Sequence, residues 1–211
     1  MKYLLLLCLL IPTLLQATPW PNGVIPYYFS EFVPKYKKIE FVKATIEWET
    51  KVPFLMFFPS TAFDRTAVKV QWSGTGACNA IVGYYKTYNY MTLSTRCDMP
   101  ILLHELGHTI GLFHEHQRSD RDSYIRMDMS PIILNSISQY EKRNDPIFGP
   151  YDFESIMHYG PFVIIGRHKQ VVKRIIYRLD GVYGPPLPEH MRYITDKDID
   201  KVYKLYVKKR N

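Results

Sequence analysis

Apolar and polar positions alternate along residues 23–29 (GVIPYYF), just after the turn residues Pro21 and Asn22, and this period of two predicts a short strand. From residue 35 to 50 the period lengthens. Ile39, Val42 and Ile46 recur at helical spacing among lysines and glutamates, which predicts an amphipathic helix ended by Pro53. Short β-rich runs follow at 54–58, 67–72, 81–85 and 89–93, separated by turn chemistry such as Ser73-Gly74-Thr75-Gly76. Together they predict a small sheet domain before residue 100. Asp98 is placed to cap a second helix over 101–110, with Pro100 in its first turn, where a missing N–H has no intrahelical partner to lose. Gly111 stops it. The chain then reads as loop-rich to residue 152, apart from an apolar stretch at 132–137 read as a short helix, and a basic hairpin is expected over 163–178. Thr195-Asp196-Lys197-Asp198 resembles a capping box, and Ile199, Val202, Tyr203 and Tyr206 share one face of the helix behind it. Residues 208–210 read as a frayed tail.

The first seventeen residues follow a different rule. Lys2 precedes an apolar run over 4–15, and Gln16-Ala17 offers a small residue at which a signal peptidase could cut. Twelve apolar residues interrupted by Pro12 are too short for a stable bilayer span, although an uncleaved anchor stays open as the alternative. The expected organisation is a signal peptide at 1–17 and one domain at 18–211, secreted into the extracellular space or a periplasm, with no stable membrane span after signal removal.

Composition narrows the class. With 46% hydrophobic, 15% aromatic and 22% charged residues the chain can bury enough surface to order itself, which excludes disorder for most of it. The net charge of +7 suits an anionic partner without naming one, and no nucleic-acid partner is expected. Of three cysteines, Cys8 lies in the export signal, leaving Cys78 and Cys97. In an exported chain these form either a disulfide, worth about 3 kcal/mol by loop closure, or two buried thiols if export fails.

The chemistry concentrates in His104-Glu105-Leu106-Gly107-His108, followed by Gly111 and His114. Residues i and i+4 of a helix project from one face, so His104 and His108 can share a metal ion, while Glu105 can approach a metal-bound water without being a ligand. Gly111 can adopt a positive φ and turn the chain so that His114 returns to the same point. Three neutral imidazoles with an open position suit a catalytic zinc, one ion per chain. His116 is a competing ligand on composition alone.

Ser155-Ile156-Met157-His158-Tyr159 ends 45 positions after His114, and the two segments together resemble the metzincin metalloproteases, whose methionine turn lies beneath a three-histidine zinc site. Residues 114–122 (HEHQRSDRD), 20–27 (WPNGVIPY), 78–83 (CNAIVG), 150–159 (PYDFESIMHY) and Leu205-Tyr206 are similar to the astacin family, a likeness covering nearly the whole expected mature chain. The resemblance implies an α+β, zincin-like fold with two lobes: a small mixed sheet with helices, then an irregular C-terminal lobe with a terminal helix. It implies a secreted zinc endopeptidase that cuts internal peptide bonds of a protein or peptide by a metal-activated water. By the same resemblance His104, His108 and His114 are zinc ligands, Glu105 is the general base, Met157 underlies the site, and Tyr159 is a displaceable ligand and oxyanion donor. Asn79, Ala80, Ile81, Val82 and Gly83 become the substrate-binding edge. Arg167, Lys169, Lys173 and Arg174 fall where the family shapes its primed-side pocket, with a solvated hairpin face as the simpler alternative.

Three departures limit the likeness. No cysteine is left for a second disulfide that most relatives have. No inhibitory pro-segment fits between Ala17 and Trp20, so the enzyme is expected to be active once exported or to be restrained by a separate inhibitor. Glu115, which in the family receives a processed amino terminus, is expected to pair with Arg118, another basic group or water. The rival from another class is a protein that holds an extended peptide on the same fold without cutting it.

Overall fold

In the computed structural model the described residues are 18–132, 134–165, 171–181 and 192–207. The expected signal segment at 1–17, Arg167, Lys169 and the tail at 208–210 lie outside them.

The N-terminal lobe is a five-stranded mixed sheet with two helices. Strand β1 (Val24–Phe29) runs parallel to β2 (Met56–Pro59) on one side and to β3 (Val68–Trp72) on the other. β3 pairs in parallel with β5 (Asn89–Leu93), and the two-residue β4 (Asn79–Ala80) closes the sheet antiparallel to β5, giving the order β2-β1-β3-β5-β4. The parallel pairing of β1 and β2 needs a crossover, and α1 (Lys35–Lys51) provides it. Its buried face is Phe41, Ala44 and Trp48, not the expected Ile39, Val42 and Ile46: Ile39 and Ile46 are exposed and Val42 is only partly buried, because the aromatic rings of the neighbouring register fill the core. The Trp48 indole donates to Leu103 O at 3.0 Å, tying α1 to the helix that carries His104 and His108.

That helix, α2 (Met99–Ile110), starts as its sequence demands. The Asp98 carboxylate accepts from Ile101 N–H at 3.1 Å, Pro100 lies in the first turn, and Leu102, Leu103, Leu106 and Ile110 are buried in the main core. It stops at Gly111, whose φ of 124° is open to glycine and unfavourable for other residues. Cys78 and Cys97 form a disulfide linking the approach to β4 with the approach to α2.

Two further expectations need correction. The run 81–85 is not a strand: Gly83 turns at φ 75°, its N–H donates to His108 O at 2.8 Å, and the Asn89 side chain holds both Tyr85 N–H and Tyr85 O. Those bonds take the backbone groups a ladder would need, so the edge strand ends at Ala80. The helix expected over 132–137 is a 3-10 segment, Leu134–Gln139.

Beyond α2 the described residues of the second lobe hold little regular structure. β6 (Ile125–Met127) pairs antiparallel with β9 (Ile176–Arg178), and β7 (Phe162–Ile165) with β8 (Val171–Arg174), the latter pair being the expected hairpin. A small separate core of Ile125, Tyr151, Ile175 and Ile176 holds this lobe together. The last helix, α3 (Asp196–Val207), begins with the expected reciprocal cap: Asp198 N–H donates to Thr195 Oγ1 at 3.0 Å, and Thr195 N–H to Asp198 Oδ2 at 3.2 Å. It returns to the first lobe, burying Val202 and setting Tyr203 and Tyr206 against Phe54.

Candidate metal centre

One helical turn separates His104 from His108 on α2, and the bend at Gly111 brings His114 back to them. Their Nε2 atoms converge: His114 Nε2 lies 3.2 Å from that of His104 and 2.9 Å from that of His108. The opposite ring nitrogens are all engaged. His104 Nδ1 donates to Ile156 O at 2.7 Å, His108 Nδ1 to Leu112 O at 2.8 Å, and His114 Nδ1 to Gln117 Oε1 at 2.9 Å. Each acceptor fixes its imidazole with the proton on Nδ1 and a lone pair on Nε2. Three lone pairs pointed at one another repel unless a cation lies between them, and tetrahedral zinc with bonds of about 2.0–2.1 Å calls for similar spacings. Among the described residues these three histidines are the group that could hold a metal ion, and their all-nitrogen donor set fits zinc.

The electrostatics agree. Burial first, and the charge of His108 second, push the His104 imidazole down to about 3, while burial holds His108 at about 4 and His114 well below the ordinary 6.5. All three are therefore neutral, as ligands must be.

Around them is an open cleft of about 480 Å³, bordered by Asn79 and Ala80 on the sheet edge, Val82 in the turn that follows it, Glu105 on α2, and Tyr159. Ile81 and Gly83 are less available, because their N–H groups donate inward to Tyr90 O and His108 O. The Tyr159 ring lies 4.3 Å from that of His114, centroid to centroid, and stacks at 4.2 Å on His116. His116 itself turns away from the ligand set: its Nε2 donates to Gln139 O at 2.9 Å and its Nδ1 accepts from Tyr159 N–H at 3.3 Å. It therefore supports Tyr159. Met157 is buried beneath α2, so close that a Cβ on Gly107 would lie 2.5 Å from its sulfur. Lys173 and Arg174 do not border this cleft: Lys173 is exposed, and Arg174 folds onto the Tyr177 ring and Ile176 O.

The sequence model of the astacin peptidase family matches residues 13–206. The chain belongs to the astacin family. Zinc metalloproteinase nas-4 of Caenorhabditis elegans is 31% identical over 194 residues, 89% of this chain and 58% of that protein. Astacin-like metalloprotease toxin 2 of Loxosceles intermedia is 32% identical over 200 residues, 91% of this chain and 75% of that one. The chain thus spans little more than half the length of the worm relative. Among solved structures, high choriolytic enzyme 1, a hatching enzyme zinc-protease from Oryzias latipes, superposes with a TM-score of 0.76 at 25% identity, covering 91% of this chain and 94% of that one. The mixed sheet, the helices and the terminal α3 make this the zincin-type α+β fold of the astacins.

Several contacts of this astacin site escaped the sequence reading. Gln117 holds His114, Gly107 makes room for Met157, and Asp198 on α3 accepts from Ile156 N–H at 2.9 Å and from Ser155 Oγ, pinning the turn that carries Met157. Glu115 pairs with Arg118, as one expected alternative had it, and also with a lysine of α3.

Proposed function

We propose that this chain is a secreted zinc endopeptidase that hydrolyses internal peptide bonds of a protein or peptide substrate. The observation that carries this is the convergence of three Nδ1-tethered imidazoles beside Glu105 at the floor of an open cleft. When bound, zinc supplies Lewis acidity that brings a water's pKa to about 7 and polarises a carbonyl.

The chain's own groups do the rest. Glu105 takes the proton of the attacking water and returns it to the leaving amine, a role its place next to the ligands in the same cleft allows. Tyr159, stacked on His116 and beside His114, is positioned to donate from its phenol to the developing oxyanion. The substrate enters as an extended strand along β4, whose other edge is taken by β5, with Asn79, Ala80 and Val82 facing it. Export fits Lys2, the apolar run behind it and the disulfide, and among the described residues no helix is long and apolar enough to cross a membrane.

Digestion of casein by the purified protein, before and after chelation and with one equivalent of zinc restored, tests the reading. Cleavage that vanishes with chelator and returns with zinc is expected. Uncut casein in the presence of protein carrying one zinc would reject the enzyme and leave a peptide-binding protein.

A further inference from the structure

Residue 115 follows the third ligand and is wired to its surroundings at every polar atom of its side chain. Glu115 Oε1 accepts from Arg118 Nη1 at 2.9 Å and from Asp152 N–H at 2.8 Å, Oε2 accepts from Lys201 Nζ at 2.7 Å, and its backbone N–H donates to Met157 O at 3.0 Å. Both side chains of the Glu115–Lys201 pair are more than nine-tenths buried. Lys201 lies one turn after Asp198, whose carboxylate pins Ile156 and Ser155 and stands 3.6 Å from the Lys201 ammonium. One face of α3 thereby grips two loops: Asp198 holds the methionine turn, and Lys201 holds the segment that carries His114.

We propose that Lys201 is a positioning residue for the zinc site, acting through Glu115 to fix His114 against the methionine turn. This rests on the reading of the three histidines as a zinc site. A buried carboxylate that loses one of two cations must find new partners or shift, and a backbone shift at Glu115 carries His114, its neighbour in the chain, with it. Arg118 cannot take over alone, since its guanidinium is already committed to Asp120, Gly149 O and Pro150 O. An ordinary surface pair would have no such leverage. Lys204, one turn further on, pairs with Asp200 in solvent and serves as the control.

The test is a competition titration of zinc with the wild type, Lys201→Met, Lys204→Met, Glu115→Gln and the double variant Glu115→Gln/Lys201→Met, with kcat and KM measured on the zinc-saturated forms. Lys201→Met is expected to weaken zinc binding and lower kcat by about tenfold or more, with KM within about twofold, as for other outer residues that orient a ligand. Lys204→Met should match wild type. In the Glu115→Gln background Lys201→Met should weaken zinc no further, because its route to the metal has gone. This comparison remains decisive if Lys201→Met alone does not fold. A Lys201→Met protein that melts earlier but keeps wild-type zinc affinity and kcat would overturn the proposal, as would an undiminished loss in the double variant. Wild type that binds zinc without cutting would reject the proteolytic reading and leave the zinc titration to decide this one.

Discussion

At the scale of single residues, the site's metal-facing half is written in one short stretch, and its supporting half is scattered. His104, Glu105, His108, Gly111 and His114 could be read together because helical spacing and one glycine bend decide where they go. Gln117, Asp198 and Lys201 carry no local signal, and their importance comes from partners 3, 42 and 86 positions away. Gln117→Ala, which removes the acceptor from His114 Nδ1, should weaken zinc binding by about 10- to 100-fold in the same competition titration. Gly107 was legible only as a filler between the histidines. Gly107→Ala would press a methyl into the Met157 sulfur and should lower stability by about 1–3 kcal/mol, read from urea unfolding of the zinc-free protein.

At the scale of elements, the helices were the most legible part. α1, α2 and α3 begin and end within a few residues of expectation, because caps, glycine and proline mark their ends, but the face that α1 buries is that of Phe41, Ala44 and Trp48 and not that of Ile39 and Ile46. The strands were less so. β2 is displaced two residues from the start expected of it, and the edge strand is two residues long where five were expected further along. Short apolar runs carry little information about register, and here side-chain and turn contacts from Asn89 and His108 decide where pairing ends. The parallel order of β2-β1-β3-β5 depends on the α1 crossover and the long connections, which no local pattern encodes. The disulfide anchors the weakest of these elements, since Cys78 is next to β4. Replacing both cysteines by serine should lower stability by about 3 kcal/mol, seen as a reduced urea midpoint with a somewhat steeper slope, because the unfolded chain without its cross-link exposes more surface. It should raise KM more than it lowers kcat, because the edge on which substrate is proposed to pair is loosened while the histidines stay in place.

At the scale of the whole molecule, the cleft lies where two lobes of different character meet, a sheet-and-helix lobe with the main core and a loop-built lobe with a small one. α3 joins them, burying Val202 in the first core while Asp198 and Lys201 hold the second lobe's loops. The metal-free protein should be sensitive to acid. Burial pushes His104 and His158 down to about 3 and His108 to about 4, and holds His114 and His116 well below 6.5. As pH falls from 6.5 towards 4 the unfolded chain takes up protons at these positions and the folded chain does not, so stability is full above 6.5 and lost below it. Each such histidine removes about 1.4 kcal/mol per pH unit in that window. Melting temperature in chelator should therefore drop steeply between pH 6.5 and 4, and a flat profile would show that the imidazoles are not buried in the neutral form.

In the proposed reaction Glu105 works on a water at the three-histidine centre without holding the metal itself. The most direct measurement compares wild type and Glu105→Gln at equal, verified zinc content, following new internal amino termini in casein by mass spectrometry. Equal zinc affinity with cleavage reduced by about 10²- to 10⁴-fold in Glu105→Gln is the expected result. Undiminished cleavage by the zinc-loaded variant would rule out Glu105 as the general base.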